Sequence, residues 1–387
     1  MKRRKFIGAG SLAALPLLSG LSVNAKNRIL NKESDEYGMN LVLDGYFFQP
    51  KHYLKKLSEI ESQSGIEGDF YSSGGVITEL EQDFRKITGK ENAIYMPSGT
   101  MANELALRIL CGDQTKAIVH RDSHIYRDEG DAAQAIHNKR LVPIHSGQHY
   151  FSKEDLDKKL TELKNGESFY SGVGALSIEN PVRRHNGKIV DLKYIKEVTD
   201  YAKAKGIRTH LDGARIHLAS AYSGISVQNY CAHFDTVYIS LYKYLGACGG
   251  AILCGDNEVI SQMSHMMKIL GGTVFRSWAN AAIAKFFLAG IEERMENMIE
   301  QSNEFIAQLN ELDEIQVKTV QEGTNVVFLT SQKLNLEILA DEINENHGIW
   351  MNYPDNGEIE IHLNESMLLR SNTELLKSFK DSILKAK

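Results

Sequence analysis

Cysteine, proline, surplus positive charge and long apolar runs are all scarce in this sequence of 387 residues. Lys and Arg number 44 against 50 acidic residues, so the formal net charge of -6 leaves no basic footprint and disfavours nucleic acid as a partner. The 4 cysteines show neither paired metal-ligand spacing nor the density of a disulfide scaffold, so we expect them to be reduced and buried. With only 6 prolines and 31 glycines there is no low-complexity segment. The length, with 42% hydrophobic and 24% charged residues, predicts a large core and two domains.

The first 25 residues have the pattern of a signal peptide. Lys2-Arg3-Arg4-Lys5 precedes an apolar stretch, and Val23-Asn24-Ala25 has the small residues of a cleavage site. The paired arginines resemble a twin-arginine signal, which predicts a periplasmic or otherwise exported protein, or a cytoplasmic one if the signal does not function. An ordinary secretory signal and an uncleaved anchor are the alternatives. No later run is long and apolar enough to span a bilayer, so no stable membrane span is expected after cleavage.

A single lysine, Lys243, follows a short β-branched and aromatic run, Thr236 to Leu241, that reads as a buried strand. One interpretation is a surface lysine that extends its amine to solvent. The other is an amine whose pKa the site lowers so that it can attack a carbonyl.

A second strand end lies about thirty residues earlier and carries Asp212 and Arg215 around two small residues. Lysine, aspartate and arginine on neighbouring strand ends favour a pyridoxal phosphate enzyme. The lysine would make the Schiff base, and the aspartate would keep the pyridine nitrogen protonated so that the ring accepts electrons.

The segment from Ala93 to Leu110 reads as a strand, a tight turn with Ser98, Gly99 and Thr100, and an amphipathic helix. Backbone amides at the helix start, the helix dipole and the hydroxyl groups favour a phosphate there. Thr100 alone could equally be a simple helix cap. Together with Asp212 and Lys243, the segment predicts the binding site for the cofactor phosphate.

His124 follows another predicted strand, Lys116 to His120. A histidine in this position is commonly a hydrogen-bonded structural group. In this order of elements it could also stack on the cofactor ring and transfer protons.

Strand and helix patterns alternate through most of the chain, which predicts an α/β fold with a mostly parallel sheet and ligands at the carboxyl ends of its strands. A single long helix is predicted from about residue 280 to 309. Beyond it, short strands and helices predict a small α+β C-terminal domain. The predicted division is a signal at 1–25, an N-terminal segment at 26–90, a large cofactor-binding domain at 91–311 and a small domain at 312–387.

The motifs together resemble those of the threonine aldolase and aromatic amino acid β-eliminating lyase family. They are Pro97-Ser98-Gly99-Thr100-Met101-Ala102-Asn103, His124 within Asp-Ser-His-Ile-Tyr, Ile178-Glu179-Asn180, Leu211-Asp212-Gly213-Ala214-Arg215 and Tyr242-Lys243-Tyr244-Leu245-Gly246-Ala247. The resemblance covers roughly Gly68 to Trp278. It implies the aspartate aminotransferase-like fold, which is pyridoxal phosphate fold type I, and a homodimer or homotetramer with active sites at the subunit interface.

The resemblance also implies roles for individual residues. Lys243 would form the internal aldimine, Asp212 would contact the pyridinium nitrogen and His124 would stack on the ring. Gly99 and Thr100 would lie at the phosphate, and Arg215 near the phenolic oxygen or the substrate carboxylate. No metal is implied.

The sequence departs from the family pattern where a substrate carboxylate would be held. Leu41 to Phe47 stands where a serine-containing segment is usual, and Glu360 lies in the late strand that usually supplies an arginine. Tyr242 replaces a serine before the lysine, and the segment from Lys268 to Arg276 is one residue longer than usual. Cofactor binding is therefore expected to be intact and substrate recognition to be altered.

The resemblance implies a lyase of amino acid metabolism that cleaves a β-hydroxy-α-amino acid to glycine and an aldehyde. His124, or a water that it orients, is the candidate base for the β-hydroxyl proton. The alternatives are β-elimination or another reaction on an unusual amino acid, and a cofactor-binding homologue that has lost catalysis.

Overall fold

The computed structural model describes residues 38–387, so the signal at 1–25 and the first part of the predicted 26–90 segment lie outside the described residues. The chain forms two compact units. The larger contains Tyr53–Glu296 and Val320–Asn325, and the smaller contains Asn297–Thr319, Val326–Lys387 and the described residues before Tyr53.

A seven-stranded sheet forms the centre of the larger unit. Its strands are β1 (Asn92–Met96), β2 (Lys116–His120), β3 (Arg140–Ile144), β4 (Val173–Glu179), β5 (Arg208–Asp212), β6 (Thr236–Ser240) and β7 (Ala251–Gly255). They lie in the order β1-β7-β6-β5-β4-β2-β3. The five strands from β6 to β3 pair in parallel, and β7 is antiparallel to both of its neighbours, so the sheet is mostly parallel as predicted.

Helices follow the strands because each apolar strand is buried and must be covered. Every residue of β2, β4 and β6 is buried, which is the pattern of strands packed on both faces. The helices of this unit are α1 (Pro50–Ser64, which begins before the unit does), α2 (Gly75–Thr88), α3 (Gly99–Cys111), α4 (His124–Arg127), α5 (Ala132–Ala135), α6 (Lys153–Gly166), α7 (Leu192–Ala204), α8 (Ile216–Ser223), α9 (Val227–Cys231), α10 (Asn257–Ile260), α11 (Met263–Ile269) and α12 (Trp278–Leu288).

The single helix predicted from about residue 280 to 309 is wrong. Two helices occupy this stretch, α12 and α13 (Ile291–Asn310). Gly290 between them has φ of +68°, a left-handed conformation that a helix cannot continue through and that glycine adopts without strain. The apolar periodicity on both sides hid this break from the sequence pattern.

The smaller unit has a three-stranded antiparallel sheet in the order β10-β9-β8. Its strands are β8 (Gln316–Thr319), β9 (Val326–Thr330) and β10 (Glu358–His362), and its helices are the part of α13 from Asn297 onward, α14 (Leu336–Asn346) and α15 (Asn372–Ala386). This is the small α+β architecture that the sequence predicted.

The boundary of the smaller unit differs from the predicted position at residue 312 and falls instead at Asn297, within α13. The reason is packing: Phe305 and Leu309 are buried in the apolar core of the small unit, as are Met39 and Leu41 near the start of the described chain. A helix that passes between two cores gives no break in composition at the boundary.

Two further features differ from, or were absent in, the sequence prediction. The edge strand β3 was missed because it contains Pro143, and proline is tolerated in a strand only at an edge or irregularity.

Of the four cysteines, Cys111, Cys231 and Cys254 are buried, but Cys248 is exposed. Among residues 38–387, no helix has the length and apolarity needed to cross a membrane.

His217 on α8 makes the folded state sensitive to acid. It is buried, its Nε2 has no hydrogen-bond partner, and burial lowers its pKa to about 4. The imidazole of His217 therefore binds a proton with a pKa near 6.5 in the unfolded chain, but with a pKa of about 4 in the folded chain. We expect the free energy of unfolding to fall across that window, by about 3 kcal/mol for this one group.

Urea unfolding of the wild type and of His217→Leu between pH 7 and pH 4.5 measures this contribution. The variant is expected to lose less stability than the wild type as the pH falls, whereas His265→Leu, at an exposed position on α11, is expected to parallel the wild type. Equal pH slopes for wild type and His217→Leu would contradict the prediction.

Candidate active site

The predicted lysine and aspartate lie at the carboxyl ends of adjacent parallel strands. Asp212 is the last residue of β5 and pairs with Tyr238 of β6, and Lys243 follows three residues after β6 ends. Asp212 is 2% exposed and Lys243 is 8% exposed. Of the two interpretations of Lys243, the exposed surface lysine is therefore excluded.

Asp212 is held by a buried polar network that the sequence did not reveal. Asn103 on α3 donates from Nδ2 to Asp212 Oδ2 at 3.2 Å and to Glu129 Oε1 at 2.8 Å. Its Oδ1 accepts from His210 Nε2 at 2.9 Å, while His210 Nδ1 lies 2.8 Å from the hydroxyl of Thr236. Burial lowers the pKa of His210 to about 4, so it is neutral at physiological pH and can serve both contacts.

His124 lies beside this carboxylate at the start of the short helix α4. Its Nδ1 is 3.0 Å from Glu129 Oε1, and its backbone N–H donates to Glu179 Oε2 at 2.7 Å. Glu179 ends β4 and also accepts from the backbone N–H of Arg183 at 2.9 Å. One ring nitrogen of His124 and one carboxylate oxygen each of Glu129 and Asp212 all lie within 4.8 Å of one another.

The acidic surroundings set the protonation of these groups. Burial by itself would lower the pKa of His124, but the hydrogen bond to Glu129 and the charge of Asp212 outweigh it and raise that pKa. Burial raises the pKa of Glu129 and of Glu179, and the charge of Asp212 adds to both effects. The protonated form of His124 is therefore favoured, because the carboxylates of Glu129 and Asp212 lie beside its ring.

The turn before α3 has the form that the phosphate interpretation requires. Ser98 is the residue that caps the helix: its hydroxyl oxygen accepts from the backbone N–H of Met101 at 3.2 Å. Thr100 lies in the first helical turn, so the capping role considered for it belongs to Ser98. A helix N-terminus with its first backbone amides and positive dipole end favours an anion.

Gly99 must be glycine because of Tyr238. A Cβ at position 99 would lie 2.0 Å from the Tyr238 hydroxyl oxygen and 2.4 Å from Cζ of the same ring. Tyr238 is 2% exposed in β6, so its ring has little space to move aside. The backbone of this turn therefore packs directly against the Tyr238 ring, and no side chain fits between them.

Gly99→Ala is expected to reduce the free energy of unfolding by about 1–3 kcal/mol through overpacking, and to weaken cofactor binding by displacing the turn. Urea unfolding and cofactor titration measure the two effects. Gly166→Ala is the matched control, because a Cβ at Gly166 meets nothing within 4 Å. Wild-type stability in Gly99→Ala would show that the turn relaxes freely.

The other predicted residues lie on the same edge of the sheet. Arg215 is the N-cap residue of α8, three residues after Asp212. Tyr242 is exposed, and the Lys243 Nζ lies 5.7 Å from the centre of its ring. Every predicted site residue belongs to the larger unit.

Four contributing residues were given no role by the sequence: Asn103, Glu129, Glu179 and His210. Asn103 and Glu179 stood inside the recognised motifs, but their partners are distant in sequence. Glu129 stood five residues after His124, and no spacing rule links the two because the chain turns at Asp128, the C-cap of α4.

These residues fit pyridoxal phosphate. A buried carboxylate suits a protonated ring nitrogen, a buried amine at the next strand end suits an aldehyde, and the Gly99 turn leaves backbone amides where a side chain would block them. A flat imidazole between them suits a ring face. The fold and the site define a pyridoxal phosphate-dependent enzyme of fold type I.

Comparison with known proteins gives the family. Residues 56–332 match the family model described as beta-eliminating lyase. Low-specificity L-threonine aldolase 1 of Arabidopsis thaliana is 24% identical over 85% of this chain and 92% of its own length. A low-specificity L-threonine aldolase of Candida albicans is 30% identical over 55% of this chain, which spans only 57% of that enzyme.

Solved structures agree on the fold. A structure from Listeria monocytogenes described as an L-allo-threonine aldolase covers 93% of this chain and 99% of its own, with a TM-score of 0.75 at 23% identity. The chain belongs to the beta-eliminating lyase family. It is a pyridoxal phosphate-dependent carbon–carbon lyase.

Proposed function

We propose that this enzyme cleaves β-hydroxy-α-amino acids to glycine and an aldehyde. The observation that carries the proposal is the buried pair of Asp212 and Lys243 at adjacent strand ends, with the half-buried His124 beside Asp212. The relatives named L-threonine aldolases support it. When bound, pyridoxal phosphate supplies an electron sink for the pair released as the carbon–carbon bond breaks.

Asp212 has the task of holding a positive charge on the ring nitrogen. Asn103 fixes the orientation of its carboxylate by donating to Oδ2, and the backbone N–H of Ala214 donates to Oδ1 at 3.3 Å. With both oxygens oriented and the group 2% exposed, its charge acts in a medium of low dielectric constant.

His124 has the task of holding and moving a proton. Glu129 accepts at Nδ1, which leaves Nε2 as the nitrogen able to exchange a proton with a substrate hydroxyl, directly or through water. The alternative role, stacking on the ring, requires only a flat side chain.

His124→Phe separates these roles because phenylalanine keeps a flat ring and cannot carry a proton. If His124 moves the β-hydroxyl proton, kcat is expected to fall about 10²–10⁴-fold in His124→Phe while the affinity for cofactor is kept. His124→Ala is the companion variant and is expected to lose cofactor affinity as well. A His124→Phe enzyme with near wild-type kcat would leave stacking as the only role.

Arg215 is our candidate for the substrate carboxylate, because it lies on the same sheet edge three residues beyond Asp212. Tyr242, which replaces the usual serine, is exposed beside Lys243 and offers a hydroxyl or a ring face to the substrate.

The test is to titrate the purified holoenzyme with glycine, L-threonine and L-allo-threonine, following the absorbance of the bound cofactor and the products. Glycine with acetaldehyde supports the proposal. Ammonia with a keto acid would replace it by β-elimination. A spectrum that responds to none of the three, without products, would indicate a substrate lacking an ordinary α-carboxylate or a homologue that only binds the cofactor.

We further propose a homodimer or homotetramer. Phe70, Tyr71 and Phe275 are all more than half exposed, and the ring of Phe275 lies 5.2 Å from Phe70 and 5.3 Å from Tyr71. An exposed aromatic cluster of this kind is typical of an interface. Light scattering after gel filtration is expected to give a multiple of the chain mass, and Phe275→Glu a smaller one.

Export by the twin-arginine route also remains a proposal, supported by the sequence of residues 1–25 alone. Fractionation of cells that express the full chain is expected to place it outside the cytoplasm. Replacing Arg3 and Arg4 by lysine should retain it inside if the twin-arginine route is used.

A further inference from the structure

Three side chains with metal-binding atoms converge next to the active site. His120 ends β2, Asp122 lies in the turn that follows, and His185 belongs to a short 3-10 turn, Arg183–His185, after β4. One ligand atom from each lies within 4.8 Å of the others, and His185 Nε2 is 3.2 Å from Asp122 Oδ2. Pyridoxal phosphate chemistry makes no use of this cluster.

The spacing suits a small divalent ion. Ligand atoms bound tetrahedrally to zinc at about 2.1 Å lie roughly 3.4 Å apart, which is near the separation of His185 and Asp122. The remaining gap is within the reach of a side-chain rotation, because Asp122 and His185 are each more than a quarter exposed. The same exposure leaves room for water as a fourth ligand.

His120 is already oriented as a metal ligand. Its Nε2 lies 2.9 Å from the Gln148 carbonyl oxygen, which can only accept, so Nε2 carries the hydrogen and Nδ1 carries the lone pair. A metal-bound histidine commonly donates a hydrogen bond from its other ring nitrogen, the one that does not bind the metal, to a backbone carbonyl. The Phe151 ring, stacked at 7° to the imidazole, further restricts its rotation.

Two contacts compete with a metal. The His120 Nδ1 accepts from the backbone N–H of Asp122 at 3.2 Å, and an Arg127 nitrogen lies 3.7 Å from Asp122 Oδ1. Both distances are long for strong interactions, and the Arg127 contact uses the carboxylate oxygen that does not face His185. A divalent ion bound by two imidazoles and a carboxylate would replace the hydrogen bond at His120 Nδ1 and would leave the Arg127 contact in place.

We propose that His120, Asp122 and His185 form a binding site for a divalent transition metal ion of the zinc type, with His120 coordinating through Nδ1. The ion would join the turn before His124 to the turn that carries Arg183, whose backbone N–H donates to Glu179. Glu179 also accepts from the backbone of His124, so the ion would brace both sides of the catalytic histidine.

Calorimetric titration of the chelator-treated holoenzyme with Zn²⁺ tests the proposal without measuring turnover. We expect one ion per chain with micromolar or tighter affinity, and a rise in the unfolding temperature when zinc is present. Asp122→Asn and His185→Gln are each expected to weaken that affinity at least about 100-fold. Both positions are partly exposed, so the variants should fold, and circular dichroism checks this.

His265→Gln is the matched control, because this exposed histidine on α11 lies outside the cluster and should leave the titration unchanged. Undiminished zinc binding in Asp122→Asn and His185→Gln would overturn the proposal, as would a wild-type protein that binds zinc only at millimolar concentration. Because binding is read out directly, failure here would leave the proposed lyase activity untouched, and a failed activity would leave this test valid.

Discussion

Lys243→Ala is expected to remove the covalent link to the cofactor and to reduce turnover by at least about 10³-fold. Lys243 is buried just after the end of β6, the strand adjacent to that of Asp212, so we expect its amine to form the link to an aldehyde on a ring held by that carboxylate. Alanine keeps the backbone and removes only the nucleophile. The visible absorbance of the bound cofactor should be lost with it.

Borohydride treatment followed by peptide mapping gives a second readout of the same prediction. In the wild type, reduction should attach the cofactor permanently to the peptide that contains Lys243, and in Lys243→Ala no peptide should carry it. Lys116→Ala is the matched control, since Lys116 is also buried but lies at the amino end of β2, beside Glu167. It is expected to cost stability and leave the cofactor bound. A borohydride-stable label on another lysine in the wild type would refute the assignment.

Asp212→Asn is expected to lower kcat by about 10²–10³-fold while the protein still binds its cofactor. The amide has nearly the shape of the carboxylate but no charge, so it cannot hold the ring nitrogen in its protonated, electron-accepting form. Most of the network should survive, because an amide oxygen can still accept from Asn103 and only the long 3.3 Å contact from the Ala214 backbone N–H would be lost. The effect should therefore appear in kcat rather than in folding.

Asp212→Glu and Asp235→Asn complete the experiment. Asp212→Glu restores the charge at the wrong distance and should recover part of the lost rate. Asp235→Asn removes a carboxylate at the opposite end of the strands, where Asp235 accepts from the backbone and hydroxyl of Thr209, and should affect stability only. A wild-type kcat in Asp212→Asn would mean that the chemistry does not depend on a charged ring nitrogen.

Much of the fold could be read from sequence because the strands are short, apolar and followed by amphipathic helices. The predicted strands Lys116 to His120 and Thr236 to Leu241 match β2 and β6 to within a residue at each end. The break at Gly290 and the edge strand β3 could not be read, because a glycine between two apolar helices and a proline inside a strand each carry conflicting local signals. The domain boundary could not be predicted for a related reason. The helix α13 begins in the larger unit and continues without a break into the smaller one, where Phe305 and Leu309 join the core.

The candidate site divides in the same way. Lys243, Asp212 and the Ser98 to Thr100 turn were identified because each stands at the end of a predicted strand, where parallel sheets place their ligands. The partners that tune them were not. Asn103, Glu129 and His210 come from a helix, a turn and a strand, and only packing joins Glu129 and His210 to the Asn103 side chain that donates to Asp212.

The sequence by itself determined the chemistry that this protein can perform: one amine, one carboxylate and one helix N-terminus at successive strand ends specify the cofactor, because few other residue sets meet its needs. Tertiary structure alone decided how those groups behave. It buried Asp212 and Lys243, placed Tyr238 against Gly99, raised the pKa of His124 by surrounding it with acids, and brought His120, Asp122 and His185 together. Protonation and proximity depend on distances between residues far apart in the chain, and no local pattern encodes such distances.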